Sequence, residues 1–252
     1  MEKRFSVNAE GCSIRCKLFH QGLDGVKTAI LYGHGFSGHK DSRSAERFAQ
    51  RVLEKNKGAV VLCFDWPCHG EDARKTLRLE DCLQYMRLLL SWLRERFPQA
   101  ELYGCATSFG GYLFLKYLSD CGSPFRKTAL RCPAVDMYGV LDRTILGPED
   151  RKRLDRGKPI LAGFDRKVAI DGVFLDSLRA AALPERDFLP LAEDLLILHG
   201  TVDEVVPFAQ VRDFAEKNLI EFEAVEGADH RFQDPGKLDR ANARILAFFG
   251  LR

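Results

Sequence analysis

Apolar and polar positions along this chain change their period repeatedly, and each change marks an element. Between 43 and 55, Ala45, Phe48, Ala49, Val52 and Leu53 recur at helical spacing. The clearest helix covers 79–97. Leu79, Cys82, Leu83, Met86, Leu89, Leu90, Leu93 and Phe97 share one face there, and Pro98 stops it. Short apolar runs at 27–32, 59–64, 101–105, 129–135 and 195–198 read as strands buried on both faces. Helices are expected at 109–119, 207–217 and 236–249, with one more strand at 220–225. Two strands near 4–8 and 13–20 open the chain as an antiparallel pair. Strands alternating with helices predict an α/β fold, its mostly parallel central sheet covered by helices on both faces.

Residues 136–192 break this rhythm. A charged stretch at 148–153 precedes two extended runs, 160–164 and 168–174, joined by Asp165, Arg166 and Lys167, which predicts a hairpin. The insertion falls between two parallel strands, whose carboxyl ends are where such sheets carry their sites. A lid is therefore expected in preference to a mere surface excursion. The whole of 1–252 reads as one domain bearing this lid insertion, without internal repeats.

Composition excludes several classes. The 38 basic and 36 acidic side chains leave a net charge of +2, so no basic field draws nucleic acid or an anionic membrane. No apolar run is long enough to span a bilayer. The basic beginning lacks the apolar stretch of a signal peptide, so a cytoplasmic location is expected. Eight cysteines, all within the first 132 residues, then read as reduced and mostly buried thiols. Cys12/Cys16 and Cys63/Cys68 lack the paired spacing of a zinc site, and no metal is expected.

The chemistry begins at Ser108, which lies between a strand and an apolar helix in Ala106-Thr107-Ser108-Phe109-Gly110. That setting suits a nucleophile elbow, a tight turn that exposes a serine hydroxyl and tolerates only small residues two positions to either side. Ala106 and Gly110 meet the requirement. The turn also sets the Phe109 N–H at a helix start, where it can stabilise an oxyanion. A serine hydroxyl needs a base, and the base needs an acid to orient it, in the order serine, acid, histidine for this arrangement. Only His199 and His230 follow Ser108. His199, at a strand end before Gly200, is read as shaping a turn, and His230, in the loop before the last helix, as the base. Asp203, in the loop after a buried strand and before Pro207, is ranked above its neighbour Glu204 as the acid.

With these residues in place, the chain resembles the α/β-hydrolase superfamily over nearly its whole length. The elbow at Ser108, the segment from His199 to Pro207 and the segment from Gly227 to Phe232 match its pattern. His34-Gly35-Phe36-Ser37-Gly38 resembles the corresponding loop of feruloyl (cinnamoyl) esterases and small carboxylesterases. That likeness implies an α/β-hydrolase fold and the Phe36 N–H as second oxyanion donor beside Phe109. It further implies a lid holding the aromatic or acyl part of a small-molecule ester, with no cofactor or metal required. The 64–70 turn resembles a structural turn of the family, with Cys68 where glycine is usual. Ala106 departs from the usual elbow glycine, and Phe109 stands where that subgroup often has glutamine.

Other readings remain open. Gly33, Gly35 and Gly38 after a strand formally spell a dinucleotide fingerprint, although 39–42 looks like loop and cap where the fingerprint needs helix. Thioesterase and lysophospholipase chemistry would use the same machinery, and a non-catalytic ligand binder would use the same fold. Phe36, Phe109, Phe164 and Phe174 hint at an apolar or aromatic acyl pocket. Neither the acyl and alcohol groups nor the oligomeric state follows from the sequence.

Overall fold

The computed structural model describes residues 1–163 and 166–251. A hairpin of β1 (Glu2–Ala9) and β2 (Cys12–His20) leads into β3 (Thr28–Gly33), α1 (Arg43–Lys55), β4 (Ala59–Phe64) and α2 (Leu79–Arg96). The chain continues through β5 (Glu101–Thr107), α3 (Phe109–Cys121) and β6 (Lys127–Arg131). After the insertion come β9 (Leu195–Gly200), α7 (Phe208–Lys217), β10 (Glu221–Val225) and α8 (Pro235–Phe249). These strands form one sheet in the order β1-β2-β4-β3-β5-β6-β9-β10. Only β2 runs against its neighbours; from β4 to β10 every pairing is parallel.

β3, β4 and β9 are buried at every position, as strands covered on both faces must be. Alternate residues feed two cores. Leu31, Leu62 and Leu130 pack with α2 and α3, while Tyr32, Cys63 and Ala129 pack with α1 and α8. The α1 stripe from Ala45 to Leu53 is buried as its spacing predicts, and Ser42 caps the helix by accepting the Ala45 N–H. Because α1 begins only at Arg43, Gly38 lies in the preceding loop, and the dinucleotide reading fails on geometry.

The strand expected at 129–135 ends at Arg131. Cys132 takes a positive φ of 46°, and Pro133 cannot donate to a ladder, so the chain leaves the sheet there. In the insertion, α4 (Met137–Val140) runs into a single π-helical turn (Leu141–Ile145), and the charged 148–153 stretch lies in α5 (Pro148–Asp155), opened by its proline. The expected hairpin forms as β7 (Ile160–Ala162) and β8 (Val168–Ile170) but is shorter than the pattern suggested. Asp171 accepts the Phe174 N–H and starts α6 (Gly172–Ala181), turning the second half of the 168–174 run into helix. Phe164 and Asp165 lie outside the described residues. The hairpin is bound to the body: Ile160, Ala162, Val168 and Ile170 are buried, Arg78 grips Asp171 at 2.8 and 2.7 Å, and the Leu77 N–H donates to the Ala169 carbonyl.

All eight thiols are free, six of them buried, with Cys68 half-buried and Cys121 exposed. Among the described residues no helix is long and apolar enough to cross a membrane.

Candidate active site

Ser108 occupies the single residue between β5 and α3, with φ 51° and ψ −117°. A non-glycine residue holds such a conformation only where its surroundings over-determine it, and here they do. The Ser108 N–H donates to the Arg131 carbonyl at 3.0 Å, and its own carbonyl accepts the N–H groups of Tyr112 and Ala134. A methyl on Gly110 would meet the His34 and Gly33 carbonyl oxygens at 2.6 and 2.7 Å, so only glycine lets α3 pass this close to β3. Ala106 fits because its methyl is accommodated, fully buried, beside Gly33.

Asp203 and His230 come from loops zipped to each other beyond β9 and β10. Thr201 and Val202 donate to the Val225 and Ala228 carbonyls, and a methyl on Gly200 would strike the Ala228 oxygen at 2.1 Å. The Asp203 carboxylate is fully buried. Its Oδ1 accepts the N–H groups of Val205 and Val206 at 2.9 and 2.8 Å, and its Oδ2 lies 2.8 Å from His230 Nδ1. The other ring nitrogen, Nε2, is 3.0 Å from Ser108 Oγ. Three residues spread over 122 positions thus form one hydrogen-bonded line. Glu204 accepts the His230 backbone N–H at 3.2 Å and does not reach the ring nitrogens.

His199 does more than shape a turn. Buried completely, it brings Nε2 to 3.2 Å from Asp203 Oδ2 and 3.1 Å from the Val206 carbonyl. Burial by itself would raise the Asp203 pKa, but hydrogen bonds from His199, His230 and the Val206 N–H outweigh it and hold the carboxyl far below its ordinary range. The sequence signal for His199 was its spacing of four residues from the acid. Cys132 Sγ also sits near Asp203 and His230, all three ligand atoms within 4.8 Å of one another. Burial and the neighbouring carboxylate push the Cys132 thiol well up, while Asp203 Oδ2 is engaged by two imidazoles. A metal needs thiolate and free lone pairs, so the donor set does not fit one.

The Phe109 N–H is one of the helix-start donors that α3 itself leaves unused. Phe36 lies inside the turn closed by Gly38 N–H to the Gly35 carbonyl, which does not employ the Phe36 N–H. That loop is held from below. His34 is kept neutral by burial, accepts the Trp66 N–H at Nε2, and pairs through Nδ1 with the Gly35 carbonyl at 2.8 Å. The 64–70 turn therefore serves as a support. Its buried Asp65 takes both the N–H and the ammonium of Lys40.

A cavity of about 690 Å³ opens over Ser108 and His230, with Phe36, Met137, Val140, Ile145 and Val205 on its apolar side. Phe109 and Phe174, which in the sequence hint at an acyl pocket, do not line this cavity. Both are completely buried beneath it, 6.4 Å apart, and Phe109 packs against Phe36, His69 and Tyr112. Of those phenylalanines only Phe36 lines the cavity among the described residues.

A largely parallel sheet carrying a serine, an acid and a histidine beyond the ends of β5, β9 and β10 defines an α/β-hydrolase. The chain belongs to the alpha/beta hydrolase family, whose model matches residues 30–241. Among solved structures it is similar to Est1E from Butyrivibrio proteoclasticus, at 17% identity and a TM-score of 0.77 over 98% of this chain and 99% of that one. Est1E has also been solved with ferulic acid bound. Alpha/beta hydrolase domain-containing protein 10 from mouse matches at 13% identity and a TM-score of 0.72, covering 98% of each chain. A monoacylglycerol lipase from Paleococcus ferrophilus matches at 19% and 0.63, over 94% of this chain and 98% of that one. At such identities the likeness is one of fold. No curated protein sequence matches the chain.

Proposed function

We propose that the protein is a serine esterase that hydrolyses carboxylic esters through an acyl-enzyme. The observation that carries this reading is the continuous line from Ser108 Oγ through the His230 ring to Asp203 Oδ2, at 3.0 and 2.8 Å. In it Ser108 attacks the ester carbonyl as His230 Nε2 removes the hydroxyl proton. Asp203 accepts the Nδ1–H bond, which fixes the tautomer and stabilises the imidazolium. The Phe36 and Phe109 N–H groups receive the oxyanion. His230 then returns the proton to the departing alcohol, and a water activated by the same imidazole clears the acyl group.

The family and the esterase and lipase neighbours support hydrolysis as the reaction class. The ester-specific reading rests on the apolar cavity wall formed by Met137, Val140 and Ile145, which suits an acyl chain. These residues belong to the 136–192 insertion, which acts in this proposal as the lid.

The test is covalent labelling. A fluorophosphonate should add once to the wild-type protein and not at all to Ser108→Ala, as read by intact mass, and Ser108→Ala should lower kcat by about 10⁶-fold. A folded wild-type protein that takes no label would remove Ser108 from the chemistry.

A further inference from the structure

On the side of the cavity facing α1 and α8 the lining changes character. Tyr32, Ser42, Ser44 and Arg131 stand there beside Phe232, Pro235 and Leu238, and no carboxylate is found among the described residues that line the cavity. Arg131 is the last residue of β6, paired with Thr107, the neighbour of Ser108. It is only 6% exposed, yet among the described residues no acidic side chain pairs with it. Its Nη2 donates to the Ser44 hydroxyl at 2.9 Å, its guanidinium lies 5.0 Å from the centre of the Phe232 ring, and its Nε has no hydrogen-bond partner.

A buried guanidinium ordinarily has a carboxylate, because removing its charge from water is costly. Tyr32, Cys105 and Cys132 feel the charge of Arg131, and burial keeps each of them protonated. Burial raises the Tyr32 phenol to about 12, and its hydroxyl pairs with Ser44 at 3.1 Å; burial likewise holds the Cys105 thiol near 12. The first turn of α1 adds its positive end. Ser42 caps the Ala45 N–H, and the Arg43 and Ser44 N–H groups are left unused by the helix. Charge, donors and space therefore converge in the cavity that contains the proposed nucleophile, with no counter-charge to Arg131 among the described residues. Arg43 and Arg231 also line the cavity, and Arg131 is the buried guanidinium, whose flanking hydroxyls suit a planar anionic group.

We propose that this cavity contains a carboxylate-binding subsite built on Arg131 and Ser44 at the start of α1, and that the substrate is an ester bearing a free carboxylate. This rests on the esterase reading for the word substrate, but the subsite stands on its own geometry.

The experiment compares charged and neutral esters of similar size. Mono(4-nitrophenyl) glutarate against 4-nitrophenyl valerate carries the charge on the acyl side, and 4-acetoxybenzoate against its methyl ester carries it on the alcohol side. In at least one pair, the charged-to-neutral ratio of kcat/KM should fall at least about tenfold in Arg131→Met and partly recover in Arg131→Lys. Ratios that do not move in either pair would overturn the subsite. Independently of hydrolysis, Ser108→Ala should bind monomethyl glutarate but not methyl valerate by calorimetry, and Ser108→Ala with Arg131→Lys should bind it more weakly. Hydrolysis absent with this binding retained would reject the esterase reading alone, whereas no selective binding to folded Ser108→Ala would reject the subsite.

Discussion

His199 Nε2 stands 3.2 Å from Oδ2 of Asp203, the same oxygen that His230 reaches at 2.8 Å. One carboxylate oxygen therefore serves two imidazoles, and the buried His199 helps to hold it in line with His230. Removing that donor in His199→Phe should lower kcat/KM for a small acetyl ester about tenfold, the worth of one hydrogen bond to a charged group, ~1.5 kcal/mol. His199→Gln, which keeps a donor, should recover part of the loss. Equal losses in both variants at unchanged melting temperature would deny the hydrogen bond its role.

The depressed pKa of Asp203 links stability to pH. A carboxyl that ionises more readily in the folded than in the unfolded chain stabilises the fold above the unfolded value of about 4, and that contribution fades as pH falls towards the folded value. Urea unfolding from pH 6 to pH 2 should show the wild-type protein losing stability relative to Asp203→Asn below about pH 4. Parallel curves would contradict the depression.

Gly35 faces the nucleophile. A methyl there would lie 3.1 Å from Ser108 Cβ and 3.7 Å from its Oγ. Gly35→Ala should therefore disturb the serine more than the fold. We expect kcat/KM to fall about 10²-fold, as for other small misplacements of reacting groups, with a melting temperature close to wild type. Unchanged kinetics in a folded variant would place the methyl elsewhere.

Cys68 shows why its position in the 64–70 turn usually holds glycine: its φ is 65°. Cys68→Gly should relieve that strain and stabilise the protein by about 1 kcal/mol, offset in part by the greater freedom of the unfolded chain. Chemical denaturation measures the difference, and a clear loss of stability would show that the thiol's packing outweighs the strain.

Met137, Val140 and Ile145 form one wall of the cavity. Excising the hairpin would instead expose Ile160, Ala162, Val168 and Ile170, so point changes are the cleaner probe. Val140→Ala with Ile145→Ala should shift the preferred acyl length upward, by severalfold in relative kcat/KM, while acetyl ester hydrolysis changes less. A uniform loss across chain lengths would make this wall purely structural.

The sequence by itself determined the alternation of elements, the buried stripe of α1, the chain order of Ser108, Asp203 and His230, and the choice of Asp203 over Glu204 as the residue nearer the ring. These were legible because periodicity, caps and turn residues act over a few neighbouring positions. Boundaries were lost where one residue overrides the local pattern, as Cys132 with Pro133 does at the end of β6 and Asp171 at the start of α6. Only the tertiary structure decided which rings line the cavity, that His199 reaches the acid, and that Arg131 is buried with no counter-charge among the described residues. Such relations depend on which strands lie side by side and on how distant loops cross at Gly200 and Ala228. Burial, dielectric and hydrogen-bond reach are properties of that packing, and no window of sequence contains them.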